Sequence, residues 1–296
     1  MPSNLSDTRS GANAVGGTLY IVATPIGNLD DITLRAVAIL RTVDVIAAED
    51  TRQTGILFKT HGIATRLISY HEHNERERAG QLIEKLKAGQ AVAVVSDAGT
   101  PTISDPGYRL VSAAADAGID VVPLPGVSAV TAALSVSGLP TDTFTFIGFP
   151  EKKAGKRTKL LQRLADRRET LIFYESPRRI IALLENVREC LGDRSAILAR
   201  EMTKQHEEFI RGTISRIIAT LAKRPAVKGE CTLLVSGKLE AEAADPGEIE
   251  AEIAQLLTDR GAGTADISSM IAIRFGISKK KAYSMVLEAK RKRTAK

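Results

Sequence analysis

Short apolar segments rich in β-branched residues alternate with segments of helical periodicity through the first 125 residues. The predicted strands cover residues 19–23, 43–48, 67–70, 91–95 and 121–124. Amphipathic segments, such as residues 75–87, lie between them. Apolar strands that alternate with helices are typical of a parallel sheet covered by helices on both faces. We therefore predict a parallel-sheet N-terminal α/β domain over residues 17–125.

The pattern changes after Pro125 and Gly126. Strand-like segments then follow at 144–149, 170–174, 196–199, 207–211 and 231–236, several of them without a long helix between. This arrangement favours a mixed sheet in a second α/β domain over residues 126–238.

A different organisation is predicted at the two ends of the chain. An Ala- and acid-rich linker follows at 239–247, and residues 248–296 are predicted to form three short helices, with Gly276 at the corner between the last two. Residues 1–16 are polar and are predicted to be a disordered tail. The fold class is thus α/β, with two domains and a small helical C-terminal appendage.

Composition limits the classes of function. The chain of 296 residues carries a net charge of +6 and only two cysteines, which fits a reducing cytoplasm and argues against disulfides or a cysteine-based zinc site. The apolar stretches are too short to span a membrane. From Lys279 to the C-terminus, eight basic residues stand against the single acid Glu288. Such a cluster suits a polyanion such as RNA, although a solvated tail is the open alternative.

Polar turns follow three of the predicted parallel strands: ATPIGNLDDIT at 23–33, VVSDAGTPTISDPG at 94–107 and PLPGVSAV at 123–130. Ligands bind open α/β sheets at the carboxyl ends of the strands, so three such turns predict a pocket. The glycine pattern of a nicotinamide-binding Rossmann site and the P-loop lysine are both missing from these turns. Carboxylates and backbone amides without lysine suit adenosyl-methionine, whose hydroxyls and sulfonium they could contact.

The two aspartates of the second turn have different expected roles. Asp97 directly follows a predicted strand, and we expect its carboxylate in the pocket. Asp105 precedes Pro106 and Gly107 at a predicted helix start, and we expect it to cap that helix instead.

Nine motifs in order resemble those of the ribosomal RNA small subunit methyltransferase I family, a branch of the tetrapyrrole methylases. They are TPIGNLDDIT, AAEDTR, SYHEHNE, SDAGTPTISDPG, PLPGVSAVTAAL, FIGFP, FYESPRR, AREMTKQHEE and KGECTLLVSG, within residues 17–237. The resemblance implies 2′-O-methylation of a cytidine in the decoding centre of 16S rRNA by a cytoplasmic homodimer. It also implies S-adenosyl-L-methionine as the cofactor, held between the two α/β domains. Met202 stands where the family commonly has Leu, a nearly volume-conserving change.

The resemblance implies cofactor contacts at particular positions. After the fourth predicted strand these are Ser96, Asp97, Ala98, Gly99 and Ile103. Further contacts are implied at Pro25, Ser128, Ala129, Tyr174, Cys231 and Thr232.

A ribose hydroxyl is a poor nucleophile until a group accepts or orients its proton. We favour Glu175, at the tip of a predicted strand, and keep Glu49 and Lys204 as further catalytic candidates. Asp50, Glu201, His71 and His73 are further candidates. Arg52 is the expected ion-pair partner of Glu49 or Asp50.

Several residues are predicted to contact RNA. His71 and His73, two apart on a predicted extended segment, favour RNA contact over a metal site with Glu75, and we predict no metal. Six basic residues are predicted near the cleft, where they could contact the phosphates of an RNA backbone or form an ordinary solvated face: Lys152, Lys153, Lys156, Arg157, Arg178 and Arg179. In the appendage we single out Lys279, Lys280, Lys281 and Arg291. Tyr70, Tyr174 and Tyr283 are candidates for base stacking.

Two other functions stay open at this point. One is a tetrapyrrole C-methyltransferase on the same scaffold, and the other is a non-catalytic rRNA-binding assembly protein. The basic appendage and the SYHEHNE and FYESPRR motifs weigh against the first. Three intact polar turns weigh against the second.

Overall fold

The computed structural model describes residues 17–238, 246–257, 263–275 and 277–294. The predicted tail over 1–16, most of the predicted linker and the corner at Gly276 therefore lie outside the described residues. The chain divides into two compact units, the first ending at Gly237 and the second beginning at Lys238. The domain boundaries within these units stay predictions.

The larger unit begins with a parallel sheet whose strands alternate with helices. The strands are β1 (Thr18–Val22), β2 (Val45–Ala48), β3 (Leu67–Ser69), β4 (Val92–Val95) and β5 (Asp120–Leu124), in the order β3-β2-β4-β1-β5. The helices are α1 (Leu34–Thr42), α2 (Thr51–Thr60), α3 (Glu75–Lys87) and α4 (Tyr108–Asp116). All of the paired strands run parallel, as the alternating pattern predicts.

Strand β4 shows why this part of the sequence contains continuous apolar runs. Val92 and Val94 face one core, which α3 and α4 cover. Ala93 and Val95 face the other core, together with residues of α1 and α2. A central strand buried on both faces needs apolar residues at every position. The sheet is thereby fixed between two helical layers.

The second half of the larger unit contains a mixed sheet, as predicted. Its elements are α5 (Ala129–Ser135), β6 (Phe144–Gly148), α6 (Ala154–Leu164), β7 (Thr170–Glu175), α7 (Ile180–Leu191), β8 (Ser195–Arg200), β9 (Glu208–Thr213), α8 (Ile214–Ala222) and β10 (Cys231–Val235). The strand order is β6-β7-β10-β8-β9. β6 and β7 pair in parallel, whereas the other pairs are antiparallel. The strand predicted at 207–211 extends to Thr213 as β9.

Helix α8 was missed by the sequence prediction, which placed only strands near this position. Its apolar residues Ile214, Ile217 and Leu221 recur at helical spacing and are buried. The side chain of Thr213 caps the helix by accepting a hydrogen bond from the backbone N–H of Arg216 at 3.3 Å. The periodic signal is only nine residues long and directly follows a strand, so it is easily taken for loop.

The smaller unit is helical, as predicted. It comprises α9 (Pro246–Leu256), α10 (Thr264–Phe275) and α11 (Lys279–Thr294). Six buried apolar side chains from the three helices form the core of this unit: Ile249, Ile253, Ile267, Ile271, Ala282 and Val286. Throughout the described ranges, no helix combines the length and the apolar character that crossing a membrane requires.

We predict that Leu198→Ala lowers the free energy of unfolding of the protein by about 2–5 kcal/mol, because Leu198 in β8 is fully buried in the core of the mixed sheet. Leu34→Ala is the matched control, since Leu34 is 90% exposed and should change stability by less than about 0.5 kcal/mol. Denaturant-induced unfolding of both variants measures the difference, and equal effects would contradict the packing described here.

Candidate active site

A cleft of about 410 Å³ opens between the parallel and mixed sheets of the larger unit. Nine of the predicted cofactor contacts line it: Asp97, Ala98, Gly99, Ile103, Ser128, Ala129, Tyr174, Cys231 and Thr232. Two of the three catalytic candidates, Glu49 and Glu175, line it as well. Pockets of small ligands and cofactors usually measure roughly 300–1,000 Å³. The structure thus brings together residues that lie up to 183 positions apart in the chain, from Glu49 to Thr232.

The floor of the cleft is built by hydrogen bonds between the turns after β1 and β4. Thr24 and Gly99 exchange backbone hydrogen bonds of 2.8 and 3.0 Å. The hydroxyl of Thr24 donates to the carbonyl of Ser96 at 2.9 Å. Gly99 has a φ of +82°, a conformation that costs glycine little and other residues more. Both turns are therefore held in one fixed arrangement.

Two predicted cofactor contacts support this floor without reaching the cleft wall. Ser96 is buried, and its hydroxyl donates to the carbonyl of Gly99 at 3.2 Å. Pro25 is not among the lining residues, whereas the next residue, Ile26, is. The structure therefore places Ser96 and Pro25 behind the surface that a ligand would touch.

Three carboxyl groups form an acidic wall on the side of the parallel sheet. They belong to Glu49, after β2, and to Asp97 and Asp105, after β4. Burial, and then the charge of Glu49, raises the pKa of Asp105 to about 7. Burial also raises the pKa of Asp97, and burial followed by the charge of Asp97 raises that of Glu49. Carboxylates held so close together favour a cationic ligand or hydroxyl donors.

The expectation that Asp105 caps a helix is wrong. Helix α4 begins only at Tyr108, and its N-cap position is Gly107, with a φ of +130° and no side-chain cap hydrogen bond. The chain therefore bends once more after Asp105, which turns the carboxyl group toward the cleft. The turn between β4 and α4 is strained, because Thr102 and Ser104 within it have φ of +73° and +65°.

Glu175 closes the opposite side of the cleft. Its side chain is fully buried, and its Oε1 accepts hydrogen bonds from the backbone N–H of Ser176 at 2.7 Å and contacts the Arg179 guanidinium at 2.5 Å. Within the described structure, Oε2 has no hydrogen-bond partner. Burying a carboxylate oxygen without a partner is costly, and such atoms mark functional positions. Glu175 thus brings a buried, unpartnered acceptor atom to the lining of the cleft.

Two polar lining residues on the same side stay uncharged. Burial, and then the charge of Asp105, raises the pKa of Tyr174 to about 12. Burial raises the pKa of Cys231 to about 11. Since the thiolate is the nucleophilic form of cysteine, covalent chemistry at Cys231 is disfavoured.

Lys204 is placed as a structural cation. Its Nζ contacts Glu201 at 3.1 Å and Glu230 at 3.0 Å, and it does not line the cleft. Partial burial opposes the charged form, but hydrogen bonds and charges of Glu230 and Glu201 outweigh it and raise the pKa of Lys204. A lysine held protonated cannot accept a proton from a substrate, so these contacts favour a structural role for Lys204 over that of a base.

The loop that contains Lys204 joins the two halves of the larger unit. Thr203 has a φ of +64°, and its hydroxyl accepts a hydrogen bond from the backbone N–H of Asn28 at 3.0 Å. A Cβ added at Gly27 would lie 2.4 Å from Cγ of Lys204, so the two loops approach as closely as glycine permits. Met202 of this loop and Ile26 of the other both line the cleft.

The histidine pair does not lie on an extended strand, so that prediction is wrong. β3 ends at Ser69, and the chain turns at His71, whose carbonyl accepts hydrogen bonds from the N–H groups of Asn74 and Glu75. The rings of His71 and His73 still approach to 5.9 Å between centroids. Across the part of the chain that the structure describes, no group of three or more His, Cys, Asp or Glu residues could hold a metal ion.

The basic residues predicted beside the cleft separate into two groups. Arg157 is buried, and its Nε donates to Oδ1 of Asn186 at 3.1 Å, whereas Arg179 pairs with Glu175. Both arginines are therefore held by partners within the larger unit. The exposed group consists of Lys152, Lys153, Lys156 and Arg178, of which Lys156 pairs with Glu151.

In the smaller unit, the predicted RNA contacts are all exposed on α11: Lys279, Lys280, Lys281 and Arg291.

Two of the candidates for base stacking differ in exposure. Tyr70 is only 2% exposed and is a core residue, while Tyr283 is 44% exposed.

The cleft also contains residues to which the sequence assigned no ligand contact, although each lies within one of the nine motifs: Ile26, Ser104, Phe149, Ser176, Met202 and Glu230. Ser176 and Glu230 directly neighbour the predicted positions Glu175 and Cys231. Phe149 belongs to the FIGFP motif, but an aromatic residue at the end of a strand is usually part of the core, so no contact was predicted for it.

We predict that Asp105→Asn changes how stability depends on pH. Folding raises the pKa of Asp105 from 3.8 to about 7, so the folded protein binds this proton more tightly. Its contribution to stability is full below about pH 4 and is lost as pH rises toward 7. The free energy of unfolding of Asp105→Asn, minus that of wild type, should therefore increase over this window in pH-dependent denaturation.

Asp193→Asn provides a control of opposite sign. A hydrogen bond from the backbone N–H of Ser215 lowers the pKa of Asp193, so wild type gains stability as this carboxyl group ionises. The free energy of unfolding of Asp193→Asn, minus that of wild type, should therefore become more negative as pH rises toward 4. Parallel curves for Asp105→Asn and wild type would contradict the buried, raised-pKa carboxyl group.

Comparison with known proteins agrees with this architecture. The Tetrapyrrole (Corrin/Porphyrin) Methylases family matches residues 18–218. A protein of Micromonospora olivasterospora named ribosomal RNA small subunit methyltransferase I is 45% identical over 279 residues, 94% of this chain and 89% of that protein. A protein of the same name from Synechocystis sp. is 46% identical over 275 residues, 92% of this chain and 98% of that protein.

Solved structures are similar in fold. A uroporphyrin-III-C-methyltransferase from Thermus thermophilus matches with a TM-score of 0.55 and 20% identity, over 74% of this chain and 94% of that one. A diphthine synthase matches with a TM-score of 0.59 and 16% identity, over 75% of this chain and 90% of that one. With its two sheets, its cleft between them and relatives of this identity and coverage, the chain belongs to the tetrapyrrole methylase family and, within it, to the ribosomal RNA small subunit methyltransferase I group.

Proposed function

We propose that this protein transfers a methyl group from S-adenosylmethionine to the ribose 2′-hydroxyl of a cytidine in the decoding centre of 16S rRNA. The observation that carries the proposal is the cleft itself, which is lined by the acidic wall and by Glu175, whose buried Oε2 has no partner in the described structure. The names of the relatives support small-subunit rRNA as the substrate class. The nucleotide and the atom methylated rest on the family resemblance.

The lining residues fit the methyl donor. S-adenosylmethionine carries a sulfonium, an ammonium and one carboxylate, and Asp97 and Asp105 offer carboxyl oxygens to its cationic groups and ribose hydroxyls. Ile26, Ala129 and Met202 offer apolar surface to its adenine ring. The bound donor supplies a methyl carbon made electrophilic by the sulfonium. The protein's task is then to position the acceptor oxygen and remove its proton.

Glu175 is the best placed residue to accept that proton. Ser176 and Arg179 hold Oε1, which fixes the carboxylate and leaves Oε2 to the cleft. The 2′-oxygen attacks the methyl carbon, the carbon–sulfur bond breaks with its electron pair going to sulfur, and the hydroxyl proton goes to Oε2. Glu49 stays the alternative acceptor, but its position beside Asp97 favours a role in donor binding.

We predict that Glu175→Gln lowers kcat for methylation of small-subunit rRNA by about 10²–10⁴-fold, because the amide is nearly isosteric but cannot accept the proton. Donor affinity, measured by calorimetric titration with S-adenosylmethionine, should change little. Glu169→Gln is the matched control, because Glu169 immediately precedes the opposite end of β7 and is not among the lining residues. Loss of donor affinity with kcat preserved would instead place Glu175 in donor binding.

The exposed lysines of α11 support docking of RNA by the smaller unit. Lys279, Lys280 and Lys281 occupy consecutive positions at the start of the helix, and all three are exposed. Contacts of lysine with phosphate release counterions, so binding weakens as salt concentration rises.

We predict that replacing these three lysines with Ala weakens binding of small-subunit rRNA and reduces the slope of log affinity against log salt by about 2–3. The control removes the same charge from exposed lysines of the larger unit, Lys59, Lys223 and Lys228. Filter binding at several salt concentrations measures both variants, and identical slopes would contradict a docking role for α11.

A homodimer and a cytoplasmic location are further parts of the proposal and rest on the family resemblance. The decisive test of the function as a whole is a map of ribose methylation on small-subunit rRNA from cells with and without this protein. A tetrapyrrole substrate would leave that map unchanged, and so would a non-catalytic assembly role.

A further inference from the structure

Phe149 is an aromatic side chain that lines the cleft and yet is 56% exposed. Ile103, from the opposite side, also lines the cleft and is 46% exposed. Two larger apolar lining residues, Ile26 and Met202, are only 7% and 8% exposed. Phe149 and Ile103 therefore form an apolar rim at the mouth, distinct from the buried interior.

The backbone before Phe149 is shaped to place its ring there. The pairing of β6 with β7 shifts register between Phe146 and Gly148, and Gly148 has a φ of +71°. A Cβ at Gly148 would lie 2.9 Å from the hydroxyl oxygen of Ser104, so the site admits only glycine without a shift of its neighbour. Irregularities of this kind re-aim a side chain and are frequent beside active sites. The buried Pro150 restricts the chain on the other side.

The ring of Phe149 is supported from behind. Its centroid lies 5.5 Å from that of Tyr174, which in turn makes an edge-to-face contact of 4.9 Å with Phe146. Such aromatic contacts hold a ring in place while leaving its other face free. Tyr174 directly precedes Glu175, so the ring stands in the same cleft as the proposed proton acceptor.

Charge around the rim suits a nucleic acid. Lys152 and Lys153 follow Phe149 by three and four positions, and Arg178 follows the lining residue Pro177; all three are exposed. A cleft of about 410 Å³ cannot enclose an RNA chain, so a nucleotide must enter from the mouth with its phosphates outside. Proteins hold unpaired nucleotides by stacking their bases on aromatic side chains beside basic residues.

We propose that Phe149, at the mouth of the cleft, is a stacking subsite for the nucleobase of the acceptor nucleotide. This inference rests on the proposed function, because it assumes that the acceptor is RNA. The stacked base positions the attached ribose toward the cleft interior, where Glu175 lies. Phe149 thereby acts on the acceptor and leaves donor binding to the interior residues.

Steady-state kinetics with small-subunit rRNA, together with donor titration, test this subsite in the full-length protein. Phe149→Ala should lower kcat/KM for RNA by about 10- to 100-fold, as expected for the loss of one stacked base, while the Kd for S-adenosylmethionine stays within about twofold. Phe149→Tyr should retain most of the activity. Phe149→Leu should resemble Ala, because it keeps apolar volume but has no ring.

Phe144→Ala is the matched control. Phe144 starts the same strand, is 43% exposed and does not line the cleft, so its loss should leave kcat/KM for RNA unchanged. Thermal unfolding of each variant shows whether it is folded, and Phe149→Leu keeps the comparison valid where Ala is unstable.

The outcomes separate the subsite from the function on which it rests. An active wild type with equally active Phe149→Ala and Phe149→Leu variants overturns the subsite and leaves the proposed function standing. A Phe149→Ala variant that loses donor affinity assigns the ring to the donor and also overturns the subsite. A wild type that binds donor but does not methylate small-subunit rRNA overturns the function and the subsite together.

Discussion

The close packing of Glu49, Asp97 and Asp105 in one partly buried wall is the constraint on which the site depends. Parallel strands all point their carboxyl ends to the same sheet edge, so the turns after β2 and β4 must meet there. Burial, and then the charges of neighbouring carboxylates, raises the pKa values of all three groups; for Asp97 that neighbour is Asp50. The backbone N–H of Asp50 donates to Oδ1 of Asp97 at 2.9 Å and holds the turns after β2 and β4 together against this repulsion. A ligand with positive charge relieves the same repulsion, so the features that strain the free protein favour binding.

The site also requires the mixed sheet, because the parallel sheet supplies only one wall. Thr203 accepts a hydrogen bond from the N–H of Asn28, and the close approach at Gly27 leaves no room for a side chain between the loops. Strain at Thr203 is maintained by its neighbours, since its own N–H donates to Glu207 at 2.8 Å. The loop that contains Lys204 therefore acts on the cleft by fixing the distance between its walls.

The sequence predicted those parts of the fold and site that depend on local pattern. The apolar run of β4 indicated a central parallel strand, and the position of Asp97 just after that run indicated a residue of the cleft. The strand and the aspartate lie within one short segment, so local pattern was sufficient. Asp105 was misplaced because the Asp-Pro-Gly order resembles a helix start, whereas the left-handed φ at Gly107 delays the helix. Phe149 was missed because its exposure depends on a register shift between two strands, which no local pattern reveals.

Charged residues were the least predictable, because their roles depend on partners distant in the chain. Arg157 is held by Asn186, 29 positions away, and Lys204 by Glu230, 26 positions away. Other pairs are local, such as Arg179 with Glu175, only four positions earlier. An acid at a strand tip, followed four residues later by a base at a helix start, predicts an ion pair before it predicts phosphate binding. In this protein that pair holds one oxygen of the Glu175 carboxylate, and under the proposed function Arg179 would orient the acid for the reaction.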